Sequence, residues 1–316
     1  MVMKEVVPLF LVRSVLVTIA AVFGFTCNLW IVYVNLEDRR RGFHLSPPDL
    51  ILSFMALINV PMQLVFCFDM SSLATGFYDR FDPIHLELTG VMIFLVSCNI
   101  WFTAWLSVYY YLRIVNFTDG LLLVLKMRIS KLLPKLLVVS TVESFIIALP
   151  SFWNIYSKVD EETIGNSTSD STFIFLTSPY LITTFLGCII PLVLTLLPIG
   201  LTLRSLWRHL KRMNMNNGDS SRPRTQAHIT AVRTMVLLVT LQSGFHAVSL
   251  YVLTESFNFI DPTMIISGCF IMLYPTFQAL VMITGNSKLK KAGRGILKNG
   301  GAWWNVLLGR QMVNRA

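Results

Sequence analysis

Apolar residues run through this chain in seven long stretches separated by short polar segments, at roughly 7–34, 49–70, 85–112, 133–154, 177–204, 229–253 and 263–284. A helix needs about 20 apolar residues to cross the hydrocarbon of a bilayer, and each stretch reaches that length. The first run is much too long for the apolar part of a signal peptide and reads as a span that stays in place. No segment is left over for a separate soluble domain. Residues 1–316 therefore read as one all-α membrane unit, a bundle of seven transmembrane helices followed by a basic tail, 285–316. The segment from Arg204 to Met213 reads as a helix continuing out of the fifth span.

Composition strengthens this reading. Of the 316 residues 54% are hydrophobic and 14% charged, and the mean hydropathy is +0.63. A soluble domain carries roughly a quarter charged residues, so lipid must cover part of this apolar surface. Charge then orients the spans. With the N-terminus outside, all but Lys4, Arg13, Arg80 and Lys158 of the 26 Lys and Arg residues fall on the cytoplasmic side, which satisfies the positive-inside rule. These cations read mainly as topology determinants and anchors to anionic lipid. A minority is left for a cytoplasmic protein, and no nucleic-acid partner is expected. Asn166-Ser167-Thr168, in the second outer loop, is a glycosylation acceptor, whereas the similar pattern at Asn116 lies inside and stays unmodified.

Chemistry is sparse. The five cysteines, Cys27, Cys67, Cys98, Cys188 and Cys269, all lie in spans without Cys/His spacing, and read as buried free thiols rather than metal ligands. The ionisable residues of the spans, Arg13, Asp69, Glu143 and His246, are scattered and form no catalytic pair. Glu143, midway along the fourth span, reads as a bundle-facing or protonated group. No enzyme activity, metal or cofactor is expected, and no internal repeat suggests a transporter. In the third span Thr89, Met92, Ile93, Val96 and Ser97 share one helical face. In the sixth, Phe245, Val248, Ser249 and Val252 do the same. Either face suits ordinary helix packing or a ligand cavity.

The inner halves of the spans carry a more specific pattern. Gly24-Phe-Thr-Cys-Asn28 leads to Ile31 and Asn35, and Asp49-Leu-Ile-Leu-Ser53 opens the second span. The third reads Trp101-Phe-Thr-Ala-Trp-Leu-Ser107-Val-Tyr-Tyr-Tyr-Leu-Arg113-Ile-Val-Asn116-Phe117, followed by Leu125-Lys-Met-Arg-Ile-Ser130-Lys. Ser205-Leu206-Trp-Arg-His209 ends the fifth, His228-Ile-Thr-Ala231 opens the sixth, and Tyr274-Pro275 precedes Gly285-Asn286-Ser-Lys288-Leu-Lys290 in the seventh. Together these blocks resemble the bitter taste receptors (type 2 taste receptors), which are G-protein-coupled, over nearly the whole chain. Vomeronasal type 1 receptors, of related build, are the next resemblance, and a small membrane transporter is the competing class.

The resemblance implies a plasma-membrane bundle of G-protein-coupled-receptor type with an extracellular N-terminus and a short amphipathic segment after the last span. It implies a small, mostly apolar bitter agonist bound near Thr89, Met92, Ile93, Val96, Thr184, Phe245, Ser249 and Gly268. It also implies coupling to a heterotrimeric G protein of gustducin or inhibitory type through Arg113, Ser205, Leu206, His209, His228 and Lys288. Five positions depart from the family pattern. Asn59 stands where Arg is usual, so that an Asn28–Arg contact becomes Asn28–Asn59. Gln278-Ala279 replaces His-Ser, and Met92 and Val96 replace a Trp and an Asn.

Overall fold

The computed structural model describes residues 2–75, 83–115, 117, 120–162, 179–215, 222–254 and 262–295. Seven long helices run in chain order: α1 (Val2–Arg40), α2 (Pro47–Thr75), α3 (Pro83–Ile114), α4 (Leu121–Glu162), α5 (Pro179–Met215), α6 (Arg222–Thr254) and α7 (Pro262–Gly285). A last helical segment spans 287–295, and no strand occurs among the described residues.

Local chemistry sets the helix ends. α2, α3, α5 and α7 each open on a proline, where the missing N–H costs nothing and φ is already helical. At α2 the Ser46 hydroxyl accepts from the Asp49 amide at 3.3 Å and donates to the Asp49 carboxylate at 2.7 Å, a serine N-cap. α1 closes in a Schellman turn. Phe43 N–H donates to Asp38 C=O and Gly42 N–H to Arg39 C=O, with Gly42 at φ 83°, a conformation glycine adopts without penalty. The Asn286 side chain caps 287–295 by accepting from the Lys288 amide at 2.9 Å and the Leu289 amide at 3.3 Å.

Polarity is inverted relative to a soluble protein. Asn28, Asn59, Asn99 and Gln278 are essentially inaccessible, while Val138, Val142, Phe145 and Leu149 of α4 face outward. Only a lipid surround makes both placements favourable. Six helices carry windows long and apolar enough to cross a membrane, in α1, α2, α3, α4, α6 and α7; in α5 the described apolar stretch, Ile190–Ser205, is shorter. Helix α3 is the axis of the bundle, packed against α2, α4, α5 and α6. In its membrane window 61% of residues are buried, against 28% in α4. α7 closes the ring by packing on α1 and α6.

Several helices run beyond the expected spans, α4 and α5 the furthest at a single end. α4 begins at Leu121, well before 133, because Ile129 buries against Tyr109 and Leu112 of α3 and Leu133, one turn on, joins the core with Phe102 and Leu106. Lys126, Arg128, Lys131 and Lys135 ride on this helix. α5 continues to Met215, in keeping with the helix expected to leave the fifth span. Cys27, Cys67, Cys98 and Cys269 are free thiols; the side chain of Cys188 lies outside the described residues. Glu143 is half-buried.

Candidate functional site

Three layers stack along the bundle. The first is an apolar cluster in which Met62 and Phe66 of α2, Leu95 of α3, Phe245 of α6 and Met272 and Tyr274 of α7 are buried together. Met92 and Val96 pack against it. The structure thus brings Met92, Val96 and Phe245 to one place. Phe245 is the pivot, its ring centroid 4.4 Å from Tyr274 and 6.3 Å from Phe66. Aromatic pairs at such separations add to the burial energy, and methionines let the cluster accommodate different shapes.

Of the other residues expected to line a ligand cavity, Thr89, Ile93 and Ser249 are half-buried and Gly268 is buried. Ile93 is not a member of the cluster around Phe245. Thr184 lies on α5, and its side chain is outside the described residues. Periodicity did not single out Gln242, which is 4% exposed one turn before Phe245 and His246.

The second layer is a ladder of amides. Asn59 donates to Asn28 Oδ1 at 3.1 Å, the contact expected from the Asn at that position. Asn99 donates to Asn59 Oδ1 at 2.8 Å and to Gln278 Oε1 at 3.0 Å. Gln278 donates back to Asn99 Oδ1 at 2.6 Å and reaches the Tyr274 hydroxyl at 3.1 Å. One connected network thereby joins α1, α2, α3 and α7. Beside it, Gln63 donates to the Thr276 hydroxyl at 2.9 Å, which itself donates to Ala20 C=O at 3.1 Å. Gly24 makes that approach possible, since a Cβ there would fall on the Thr276 hydroxyl. Ala279, beside Gln278, is fully buried in the core with Leu106 and Met282.

The third layer lies at the basic end. The Lys288 ammonium contacts Asp38 at 2.6 Å, Asn35 Oδ1 at 2.7 Å and Asp49 at 3.5 Å. Asn286 donates to Asp49 Oδ1 at 2.7 Å, and Asn35 donates to Ser53 Oγ at 2.8 Å. Lys288 is thus held by α1 and α2 and fastens the segment 287–295 to them. Arg113, exposed at the end of α3, donates to the Tyr109 hydroxyl at 3.2 Å. Ser205 is half-buried on α5. Leu206, His209 and His228 lie on α5 and α6, with side chains outside the described residues, and Asn166 and Asn116 fall outside them altogether. No group of three or more His, Cys, Asp or Glu residues able to hold a metal occurs among the described residues.

A lipid-facing apolar exterior, an axial third helix and an amide ladder under an enclosed apolar cluster define a helical membrane bundle of the G-protein-coupled receptor type. The sequence comparisons refine that class. The taste receptor protein (TAS2R) family matches residues 3–300, and the chain belongs to the taste receptor type 2 family. It is similar to taste receptor type 2 member 40 of Gallus gallus, 28% identical over 289 residues that cover 88% of this chain and 91% of that protein. Taste receptor type 2 member 7 of Macaca mulatta is 29% identical over 307 residues, 90% of each chain. Taste receptor type 2 member 2 of Homo sapiens is 28% identical over 284 residues, 87% of this chain and 91% of its own length.

Proposed function

We propose that the protein is a chemosensory receptor for small, mostly apolar bitter compounds, signalling through a heterotrimeric G protein of gustducin or inhibitory type. The observation that carries this reading is the meeting of Met92 and Val96 of α3 with Phe245 of α6 in one enclosed apolar cluster, within a chain of the taste receptor family. A compound seated among these side chains, together with Thr89, Ile93, Thr184, Ser249 and Gly268, touches helices that can pack in more than one way. It shifts the balance between two packings by its differential affinity for them. Pockets of this kind take their affinity from buried apolar area and use a few polar groups for orientation.

In this reading the N-terminus is extracellular, Asn166 carries a glycan, and the basic end faces the cytoplasm beneath the plasma membrane. Arg113, Ser205, Leu206, His209 and His228 meet the G protein, and Lys288 anchors the helical segment beside them. The test is calcium mobilisation in cells expressing the receptor with a promiscuous G protein, screened with a panel of bitter compounds. The expected result is a response that requires the G protein. Movement of a compound across the membrane in the absence of G protein would point to a transporter.

A further inference from the structure

Five buried side-chain atoms among the described residues have no hydrogen-bond partner: Gln63 Oε1, Trp101 Nε1, Ser144 Oγ, Gln242 Oε1 and His246 Nε2. The first three stand on three different helices. The last two stand one turn apart on α6, and residues at i and i+4 of a helix present neighbouring side chains. Gln242 is 4% exposed. An amide oxygen shut away from water without a donor is costly, and two neighbouring unmatched atoms mark a place where a partner belongs.

That place adjoins the apolar cluster. Phe245 lies between Gln242 and His246 in sequence, its ring centroid 5.5 Å from the His246 imidazole and 4.4 Å from Tyr274. Ser249 continues the same α6 face at i+7 from Gln242. An amide oxygen accepts and never donates, whereas a neutral imidazole nitrogen does either; the partner must therefore bring a donor. α5, α6 and α7 contain no Asp or Glu. On the helices that pack beside them, Glu87 of α3 is exposed and Asp49 of α2 is engaged by Asn286 and Lys288 at the basic end; a cation buried among Gln242 and His246 would pay heavily in desolvation, so a neutral donor is favoured.

We propose that Gln242 and His246 are the polar anchor of the agonist site, selecting compounds with a neutral N–H or O–H donor at one end of an apolar body. A phenol or a secondary amide has this chemistry; its ether or tertiary-amide counterpart does not. The anchor deepens the receptor reading given above and rests on it for its biological role, but its test reads binding directly and needs no G protein.

The probes are 4-phenylphenol and its methyl ether 4-methoxybiphenyl, which differ in the donor and share the apolar body. Their affinities are measured by thermal shift on the purified receptor in detergent. The wild type should bind the phenol about fivefold or more tightly than the ether, the ratio one net neutral hydrogen bond supplies. In Gln242→Met that ratio should fall to about twofold or less, with the affinity for the ether retained. Gln242→Asn keeps the amide but withdraws it by one methylene, and should lose the discrimination in the same way if the methionine variant does not fold. Without any probe, Gln242→Met should unfold roughly 2–4 °C higher, because a buried unpaired oxygen has been removed. Equal binding of the two probes by the wild type, discrimination that survives in both variants, or binding of neither probe would overturn the anchor. So would a lower unfolding temperature of probe-free Gln242→Met, which would show that a structural water already satisfies the oxygen. Full discrimination without any second-messenger response would keep the anchor and remove the receptor function.

Discussion

Asn99→Leu is the sharpest test of the amide ladder. Asn99 is 1% exposed, and its side chain takes part in three of the ladder's bonds: to Asn59 at 2.8 Å, to Gln278 at 3.0 Å, and from Gln278 at 2.6 Å. Leucine preserves most of the volume, so packing loss is small and the polar effect is isolated. Side-chain hydrogen bonds between membrane helices average about 0.6 kcal/mol each, which puts a floor near ~2 kcal/mol for the three. The substitution also strands Asn59 Oδ1 and Gln278 Oε1 in a water-free interior, where an orphaned acceptor costs about 1–3 kcal/mol. A destabilisation of about 2–5 kcal/mol follows, or a fall of roughly 4–20 °C in the unfolding midpoint at about 2–4 °C per kcal/mol. The free, fully buried Cys98 supplies the assay, since a thiol-reactive dye reaches it only when the helices part. Asn99→Leu combined with Gln278→Leu removes both sides of the pair and should cost less than the two singles together by about 1–3 kcal/mol. An Asn99→Leu receptor within about 0.5 kcal/mol of wild type, or strict additivity in the double variant, would refute the ladder as a source of stability.

Four further outcomes are expected. Gly24→Ala puts a Cβ onto the Thr276 hydroxyl and 2.6 Å from Gln63 Nε2; overpacking of this kind costs about 1–3 kcal/mol, and Thr276→Ala should restore part of the lost thermal stability. Lys288→Met leaves Asp49, largely buried, without its cation; allowing for the part-exposed ammonium, thermal unfolding should report a loss of about 1 kcal/mol, and G-protein activation should fall at matched surface level. Asn166→Gln should abolish the mobility shift produced by endoglycosidase, and a shift that persists there yet vanishes in Asn116→Gln would invert the proposed orientation. Met92→Trp fills space beside Phe245 and should narrow the range of agonists seen in calcium assays, while unchanged potencies throughout would move the site away from this cluster.

What could be read from sequence was whatever periodicity and charge encode. Apolar runs announced the helices, and the Asn28–Asn59 bond was foreseen from the resemblance to the family, in which position 59 partners Asn28. The start of α4 was hidden because Lys126, Arg128, Lys131 and Lys135 interrupt the apolar run. The helical signal survives only at Ile129 and Leu133, which bury against α3 or the core, while Arg128, Lys131 and Lys135 are exposed and Lys126 donates to the Val115 carbonyl. Asn99 sits among apolar residues of α3, and nothing local distinguishes a bonded amide from a stray one. Its partners come from α2 and α7, 40 and 179 residues away. Gln242 was missed for a related reason. Spacing places it on the same α6 face as Phe245 and Ser249, but only the folded neighbourhood shows that its oxygen has no partner.

The distribution of bond types suggests how such a bundle can move without coming apart. Amide bonds join α1, α2, α3 and α7, Trp105 donates to Ser140 at 2.8 Å to fasten α4, and Lys288 ties the last segment to α1 and α2. These contacts are directional, and sliding any of these helices breaks them. α5 and α6 are held differently among the described residues. Thr195 and Thr202 donate to carbonyls of their own helix, and Ile199 meets Met235 and Val239 through apolar contact. A described α6–α7 hydrogen bond, Tyr251 to Thr263, lies at the exposed end remote from Lys288. Apolar contact tolerates a change of register that an amide ladder does not, so the α5–α6 pair is the part that can shift against a fixed frame. Phe245 belongs to α6, yet its neighbours Met92 and Tyr274 belong to that frame. In the proposed reading an agonist lodged there would touch both parts, which is what differential affinity for two packings requires. At the opposite end Thr234 of α6 presses on Gly285 so closely that a Cβ would not fit. Any outward swing of α6 must open this contact first, immediately beside the segment that Lys288 holds in place.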